Sequence, residues 1–301
     1  MTERNAMEYA VECRNLTHYY GKRLVFENMN FNVRRGSIFG LLGKNGTGKT
    51  TTINILNGFL TPAGGQCLVF GEDSRALTPA TKARMGFLIE GHVQYSFMTI
   101  TQIEKFYSAF FPRWNKTPYY ELMAKLEVTE YQKLSTMSCG QRSQVALGLI
   151  LAQDPDLMVL DDYSMGLDAG YRRLFIDYLQ EYARAEGKTI FITSHIIQDL
   201  EGLIDDCVII DYRSVLVTMP IKQFQAEFKR FTFTSAVADL KLPKDDVVKN
   251  TECIKNHATV YSFKPRADVE AYLTGKGVGF EGLKEVPMSL EDAFIGITGK
   301  Y

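Results

Sequence analysis

LLGKNGTGKTTTINIL, Leu41 to Leu56, crowds glycines, lysines and threonines between an apolar run and a helix-like pattern. Ahead of it, Ser37 to Leu42 (SIFGLL) is short, apolar and flanked by turn residues, as a buried strand requires. From Lys49 onward, Ile53 and Leu56 repeat at helical spacing, and Asn57-Gly58 supplies a stop. Between strand and helix, Gly43-Lys44-Asn45-Gly46-Thr47-Gly48-Lys49-Thr50 matches G-x-x-x-x-G-K-[ST] in full. Glycines let successive backbone N–H groups curl inward, the helix start adds a positive dipole end, and Lys49 supplies a point charge for outer phosphates. Thr50 offers a hydroxyl to magnesium, and Thr51 continues the cradle. The stretch is expected to hold a nucleotide triphosphate.

A chain of 301 residues with 46% apolar content buries a large core and has room for about two domains. The net charge of -1 leaves no basic excess, so no nucleic-acid partner is expected. No run approaches the roughly 18 apolar residues of a membrane span, and MTERNAMEYA lacks a signal-peptide layout. The expectation is a soluble, cytoplasmic chain. Cys13, Cys67, Cys139, Cys207 and Cys253 are scattered singly and read as reduced thiols.

A triphosphate site needs a carboxylate strand, and Leu157 to Asp162 (LMVLDD) runs four apolar residues into two aspartates. Asp161 is the candidate for the magnesium shell. Asp162 then stands at the strand's carboxyl end, where a general base or water-positioning group belongs in a parallel-sheet enzyme. Thr189 to Ser194 (TIFITS) repeats that geometry and delivers His195 to the same edge.

With these motifs stands LSTMSCGQRSQVALGLILAQDPDLMVLDDYSMGLD, Leu134 to Asp168, which resembles the signature region of ATP-binding-cassette ATPases and lies in that family's order between the two phosphate motifs. The resemblance covers about residues 8 to 220. It implies an α/β P-loop cassette with a mixed-sheet core and a helical subdomain at about 92–150, binding ATP and Mg2+. Ser138-Cys139-Gly140-Gln141 matches the signature, Gly166-Leu167-Asp168 the loop after the magnesium strand, His195 the switch histidine, and Tyr20 the aromatic that stacks on adenine. In the family two cassettes pair head to tail, so that the phosphate loop of one faces the signature of the other across ATP. On its own residues, Ser138 is also a good helix cap ahead of an amphipathic stretch.

Three positions depart from the family's pattern. Asp162 replaces the usual glutamate and is one methylene shorter, and a misplacement of ~1 Å can cost roughly a hundredfold in rate, so hydrolysis is expected to be slow. Cys139 replaces a glycine beside the signature serine, where a side chain restricts backbone approach to phosphate. Glu90, in GFLIEGH, replaces a magnesium-contacting glutamine and offers only acceptors when ionised, with Gln94 nearby as a substitute.

From His92 to Leu134 the chain reads helical and aromatic, and FYSAFFPRW suits either core packing or an apolar groove for a permease helix. After about Pro220 the motifs end. FTFTSAV at Phe231, TVYSFKP at Thr259, a helix-like ADVEAYL and a strand-like run near Val278 make residues 221–301 a small α+β appendage, with Ser289 opening a last helix. The resemblance therefore implies a subunit of a bacterial exporter-type transporter on the cytoplasmic face of the cell membrane. Its partners would be an integral membrane permease and a second cassette, in a homodimer or heterodimer. Two alternatives stay open: a soluble cassette ATPase acting on ribosomes or DNA, and a degenerate cassette partnering a competent one.

Overall fold

Strands that are apolar throughout must be covered on both faces, and three such runs form the centre of the first of two units. The computed structural model describes residues 8–88, 95–164 and 167–299. The chain divides into Met1–Val215 and Leu216–Tyr301.

In chain order, β1 (Tyr9–Tyr20), β2 (Arg23–Arg34), β3 (Ile38–Gly43), α1 (Lys49–Leu56), β4 (Gly64–Val69), β5 (Glu72–Asp73), α2 (Pro79–Lys82) and β6 (Met85–Leu88) come first. The helices α3 (Ile100–Ser108), α4 (Thr117–Lys125) and α5 (Cys139–Ala152) follow, then β7 (Leu157–Leu160), α6 (Ala169–Glu186), β8 (Thr189–Thr193), β9 (Asp206–Asp211) and β10 (Ser214–Pro220). One sheet runs β10-β9-β3-β8-β7-β6, and its β9-β3-β8-β7-β6 pairs are parallel. A second, antiparallel sheet runs β2-β1-β4-β5. The arrangement is α/β with mixed sheets.

Both sheets bury one apolar core that includes Val11 and Phe31 of the antiparallel sheet, Phe39, Val159, Phe191 and Val208 of the parallel one, and Ile53 of α1. Phe39 stacks on both Phe31 and Phe191 at centroid distances of 5.3 and 5.5 Å, and those two rings meet at 6.0 Å, which ties β2 to β3 and β8. β3, β7 and β8 are buried along their whole lengths. Because all three run parallel, residues just past their carboxyl ends gather at one edge.

The helical stretch packs around Tyr119, which is fully buried, donates to the Ile100 carbonyl at 2.9 Å and lies where a Cβ at Gly148 would come within 2.9 Å. Trp114 donates to the buried Glu104 carboxylate at 2.7 Å, and Tyr120 reaches its other oxygen at 3.3 Å. The aromatic run thus splits. Trp114, Tyr119 and Tyr120 serve internal packing, while Phe97 and Phe110 remain exposed. Arg113 pairs with Asp154 and Asp156 at 3.2 and 2.7 Å, and Arg84 meets Asp156 at 2.6 Å, fixing the entry to α4 against the start of β7. Burial alone would raise the Asp156 carboxyl, but the two guanidiniums outweigh it and hold it below its ordinary value.

The second unit contains α7 (Ile221–Glu227), β11 (Lys229–Ser235), β12 (Asn250–Ile254), β13 (His257–Ser262), α8 (Arg266–Gly275), β14 (Phe280–Val286) and α9 (Leu290–Thr298). Its sheet runs β12-β13-β11-β14, with antiparallel pairs throughout. Phe231 and Phe233, two residues apart on β11, point to one face and meet Val260, Val269 and Leu273 in a core of their own. The strand expected near Val278 begins only at Phe280, because Gly277 takes φ +68° and the Val278 N–H returns to Leu273 O at 3.0 Å to finish α8. Ser289 caps α9 by accepting from the Asp292 N–H at 3.1 Å.

Candidate nucleotide site

The loop between β3 and α1 is held by close packing at its two ends. A Cβ at Gly43 would lie 2.5 Å from Thr47 Oγ1 and 2.8 Å from the Ile210 carbonyl, so nothing larger than glycine fits there. Gly48, at φ +107°, opens α1 and sits where a Cβ would come within 2.7 Å of Val25. The Thr47 hydroxyl donates to Lys44 O at 2.8 Å, and Lys44 itself is buried. Lys49 Nζ folds back over the loop and donates to the carbonyls of Gly43 and Lys44 at 2.7 and 3.1 Å. Asn45, Gly46 and Thr50 are exposed.

Directly after β7, Asp161 is 2% exposed and accepts from the Thr193 hydroxyl at 2.8 Å. The same hydroxyl accepts the backbone N–H of Asp162 at 3.1 Å, so one side chain from β8 orients both aspartates. Asp162 adopts φ +42°, a left-handed conformation that aspartate tolerates better than most residues. Its carboxylate turns to His195, whose Nδ1 lies 2.7 and 2.8 Å from the two oxygens. With the carboxylate ionised, Nδ1 is the donor. Ser164 Oγ adds a contact at 3.3 Å.

A cleft of about 750 Å³ joins these parts: Tyr20, Asn45, Gly46, Gly48, Lys49, Thr50, Thr51, Asp161, Asp162 and His195 line it. Gly43, Lys44 and Thr47 lie outside its lining and shape the loop from behind. Arg23, Ser164 and Arg172 also line it and were not among the sequence candidates. Arg23 had a readable signal, a basic residue just after the Tyr20-Gly21 turn; Arg172 had none. Tyr20 is half exposed, its hydroxyl is 3.3 Å from Thr51 Oγ1, and its ring meets His18 edge-on at 4.9 Å. His18 is buried with neither ring nitrogen hydrogen-bonded among the described residues, and this burial lowers its pKa.

Ser138 to Gln141 form the start of α5 and stand apart from this cleft's lining. Ser138 Oγ accepts from the Gln141 N–H at 3.1 Å, and Gln141 Oε1 accepts from the Ser138 N–H at 3.0 Å, a complete capping box. Cys139 is an exposed free thiol. Leu167 lines the cleft, and Asp168 caps α6. Glu90, Gln94 and Gly166 lie outside the described residues.

Comparison with known proteins agrees with this geometry. A family model described as "ABC transporter" matches residues 26–164. The Nod factor export ATP-binding protein I of Burkholderia orbicola is 30% identical over 302 residues, covering 96% of this chain and 97% of that protein. The chain belongs to the ABC transporter family. It is an ABC transporter ATP-binding subunit, and the bacitracin transport ATP-binding protein BcrA of Bacillus licheniformis is a further relative, 26% identical over 97% of this chain and 98% of that one. A solved ATP-binding subunit of an ABC transporter shares the fold at TM-score 0.63 and 22% identity, over 72% of this chain and 92% of that one. ABC transporter ATP-binding subunits as a family bind ATP with Mg2+ and hydrolyse it, and the donors here fit. A loop whose two end glycines, Gly43 and Gly48, admit no Cβ and whose middle glycine, Gly46, is exposed leaves backbone N–H groups for phosphates, while the Thr50 hydroxyl and the Asp161 carboxylate are hard oxygen ligands of the type magnesium takes.

Proposed function

We propose that this chain hydrolyses ATP for an exporter, driving a separate integral membrane permease from the cytoplasmic face of the cell membrane by ATP-dependent, head-to-tail pairing with a second cassette. The observation that carries this reading is the convergence of Lys49, Thr50, Asp161 and the Asp162–His195 pair on one cleft. Relatives named for Nod factor export and bacitracin transport support the transport role and the outward direction.

Tyr20 stacks on adenine, and the loop N–H groups with Lys49 grip the phosphates. Thr50 and Asp161 would hold Mg2+, which supplies charge neutralisation on the phosphate oxygens. Asp162 orients the attacking water and accepts its proton. His195 holds that carboxylate through Nδ1, and Nε2 donates to the γ-phosphate when the ring carries both protons. The short reach of Asp162 makes turnover slow. Ser138 to Gln141 close over the nucleotide of the second cassette. Phe97 and Phe106, rimmed by Lys105 and Lys133 around a concavity, provide a seat for a permease helix.

The test is affinity purification of the tagged chain from detergent-solubilised native membranes, with ATP turnover measured on the eluate. A stoichiometric integral membrane protein and Mg2+-dependent turnover are expected. Copurification of ribosomes or nucleic acid without a membrane protein would overturn the transporter reading.

A further inference from the structure

Three contacts converge on Tyr171, near the start of α6. Its backbone N–H donates to Asp168 Oδ1 at 3.0 Å and so forms the cap of that helix. Its backbone carbonyl accepts from Gln144 Nε2 at 2.9 Å, and Gln144, on α5, is fully buried. Its ring lies against Gly140: a Cβ there would come within 2.3 Å of Cδ2 and 2.6 Å of Cγ. Contacts that short do not occur between a Cβ and a packed ring, so a larger residue at 140 must displace the tyrosine. On the other side of the block, the neighbouring Arg172 donates to Leu167 O at 3.3 Å and to Asp199 Oδ2 at 2.9 Å.

Gly140 therefore has a reason to be glycine within its own chain. The space beyond its α-carbon on the Cβ side is filled by Tyr171. Because the backbone of the same residue closes the Asp168 cap, the start of α5 cannot shift without moving the segment at Leu167 and Asp168. We infer that Tyr171 is a positioning residue that locks the Ser138–Gln141 segment to the Leu167–Asp168 segment, so that the two move as one block when cassettes close over ATP. This rests on the function proposed above, in which both segments meet the second cassette. The ring makes the contact with Gly140 and the backbone makes the other two, so the hydroxyl has no part in the lock.

The test uses the full purified chain and compares Tyr171→Phe, Tyr171→Ala, Gly140→Ala and the double variant. Four quantities are read: kcat, KM for ATP, thermal midpoint, and ATP-dependent self-association in an Asp162→Asn background. Tyr171→Phe is expected to stay within about twofold of the parent in kcat, whereas Tyr171→Ala loses about tenfold in kcat with KM for ATP moved by less than about twofold, and associates more weakly. Gly140→Ala lowers the thermal midpoint beside the intact ring and lowers it less in the Tyr171→Ala background, where the vacated space accepts the methyl group. Full kcat and association in Tyr171→Ala, or an identical thermal cost of Gly140→Ala in both backgrounds, would overturn the lock. A parent chain that neither turns over ATP nor associates would instead overturn the proposed function, and the inference with it.

Discussion

Two helices of the first unit begin in glycine-bearing motifs, and they treat their first N–H groups in opposite ways. α1 opens on Gly48, at φ +107°, which has no side chain to fold back over the helix start. α5 opens on Ser138, and its capping box occupies both the Ser138 and the Gln141 N–H groups. The first four N–H groups of any helix lack partners inside it; no side chain among the described residues takes any of them at α1, whereas the box at α5 takes two, those of Ser138 and Gln141. The glycines differ too: Gly46, at φ +78°, has only the Arg23 side chain within 4 Å of where a Cβ would stand, whereas Gly140 is pressed against the chain's own tyrosine. A glycine in a motif is thus no measure of ligand access. What differs is how many of the first N–H groups the chain's own side chains already occupy.

The largest effect should come from removing the charge at the open helix. Lys49 Nζ sits between two loop carbonyls, ready to exchange them for phosphate oxygens. Lys49→Ala is expected to weaken binding of a fluorescent ATP analogue by about a hundredfold, or ~2.7 kcal/mol. Affinity retained within about threefold in an equilibrium titration would mean that the start of α1 is not the phosphate end of the cleft, and the contrast with α5 would collapse.

A smaller effect separates the two duties of Ser138. Ser138→Ala removes the cap and should cost about 1 kcal/mol in denaturant unfolding. Ser138→Asp keeps a capping acceptor and should recover most of that stability, yet it sets a negative charge where the second cassette's γ-phosphate is proposed to arrive. A stable but inactive Ser138→Asp sharpens the comparison. Wild-type turnover in Ser138→Asp would restrict Ser138 to its structural cap.

The parts of this site that were legible in the sequence are those whose chemistry is local or follows from strand direction. The phosphate loop is a continuous run, and its strand and helix flanks are adjacent to it in the chain. Asp161, Asp162 and His195 could be brought together because parallel strands deliver their carboxyl ends to one edge. Thr193 and Tyr171 were not legible, because each acts on residues about thirty positions away and carries no motif of its own. Trp114 shows the same limit. Its surroundings read equally well as groove or core, and only its bond to the buried Glu104 distinguishes them. In the second unit, β12 was missed because NTECI has no clean apolar alternation, and Val278 misled because an apolar residue ending a helix looks like one beginning a strand.

The smallest expected effect concerns acid, and it bears on the side of α1 alone. Tyr20, whose hydroxyl lies 3.3 Å from Thr51 Oγ1 in the first turn of α1, rests edge-on against His18, a buried imidazole whose pKa is lowered by desolvation. The sign follows from which state takes up the proton first. In the unfolded chain His18 protonates near its ordinary value of about 6.5, while the folded chain resists until lower pH. Unfolding therefore takes up a proton in that window, and the stability tied to a neutral His18 is complete above it and lost as the pH falls through it. His18→Phe keeps a ring beside Tyr20 and removes the titration. Between about pH 7.5 and about pH 5.5 the thermal midpoint of the parent should fall further than that of His18→Phe. The capping box at Ser138 contains no group that titrates there, so Ser138→Ala should shift the midpoint by the same amount at both pH values. Parallel curves for parent and His18→Phe would remove His18 as the acid-sensitive support. A pH-dependent cost of Ser138→Ala would show that the two helix starts are coupled rather than independent.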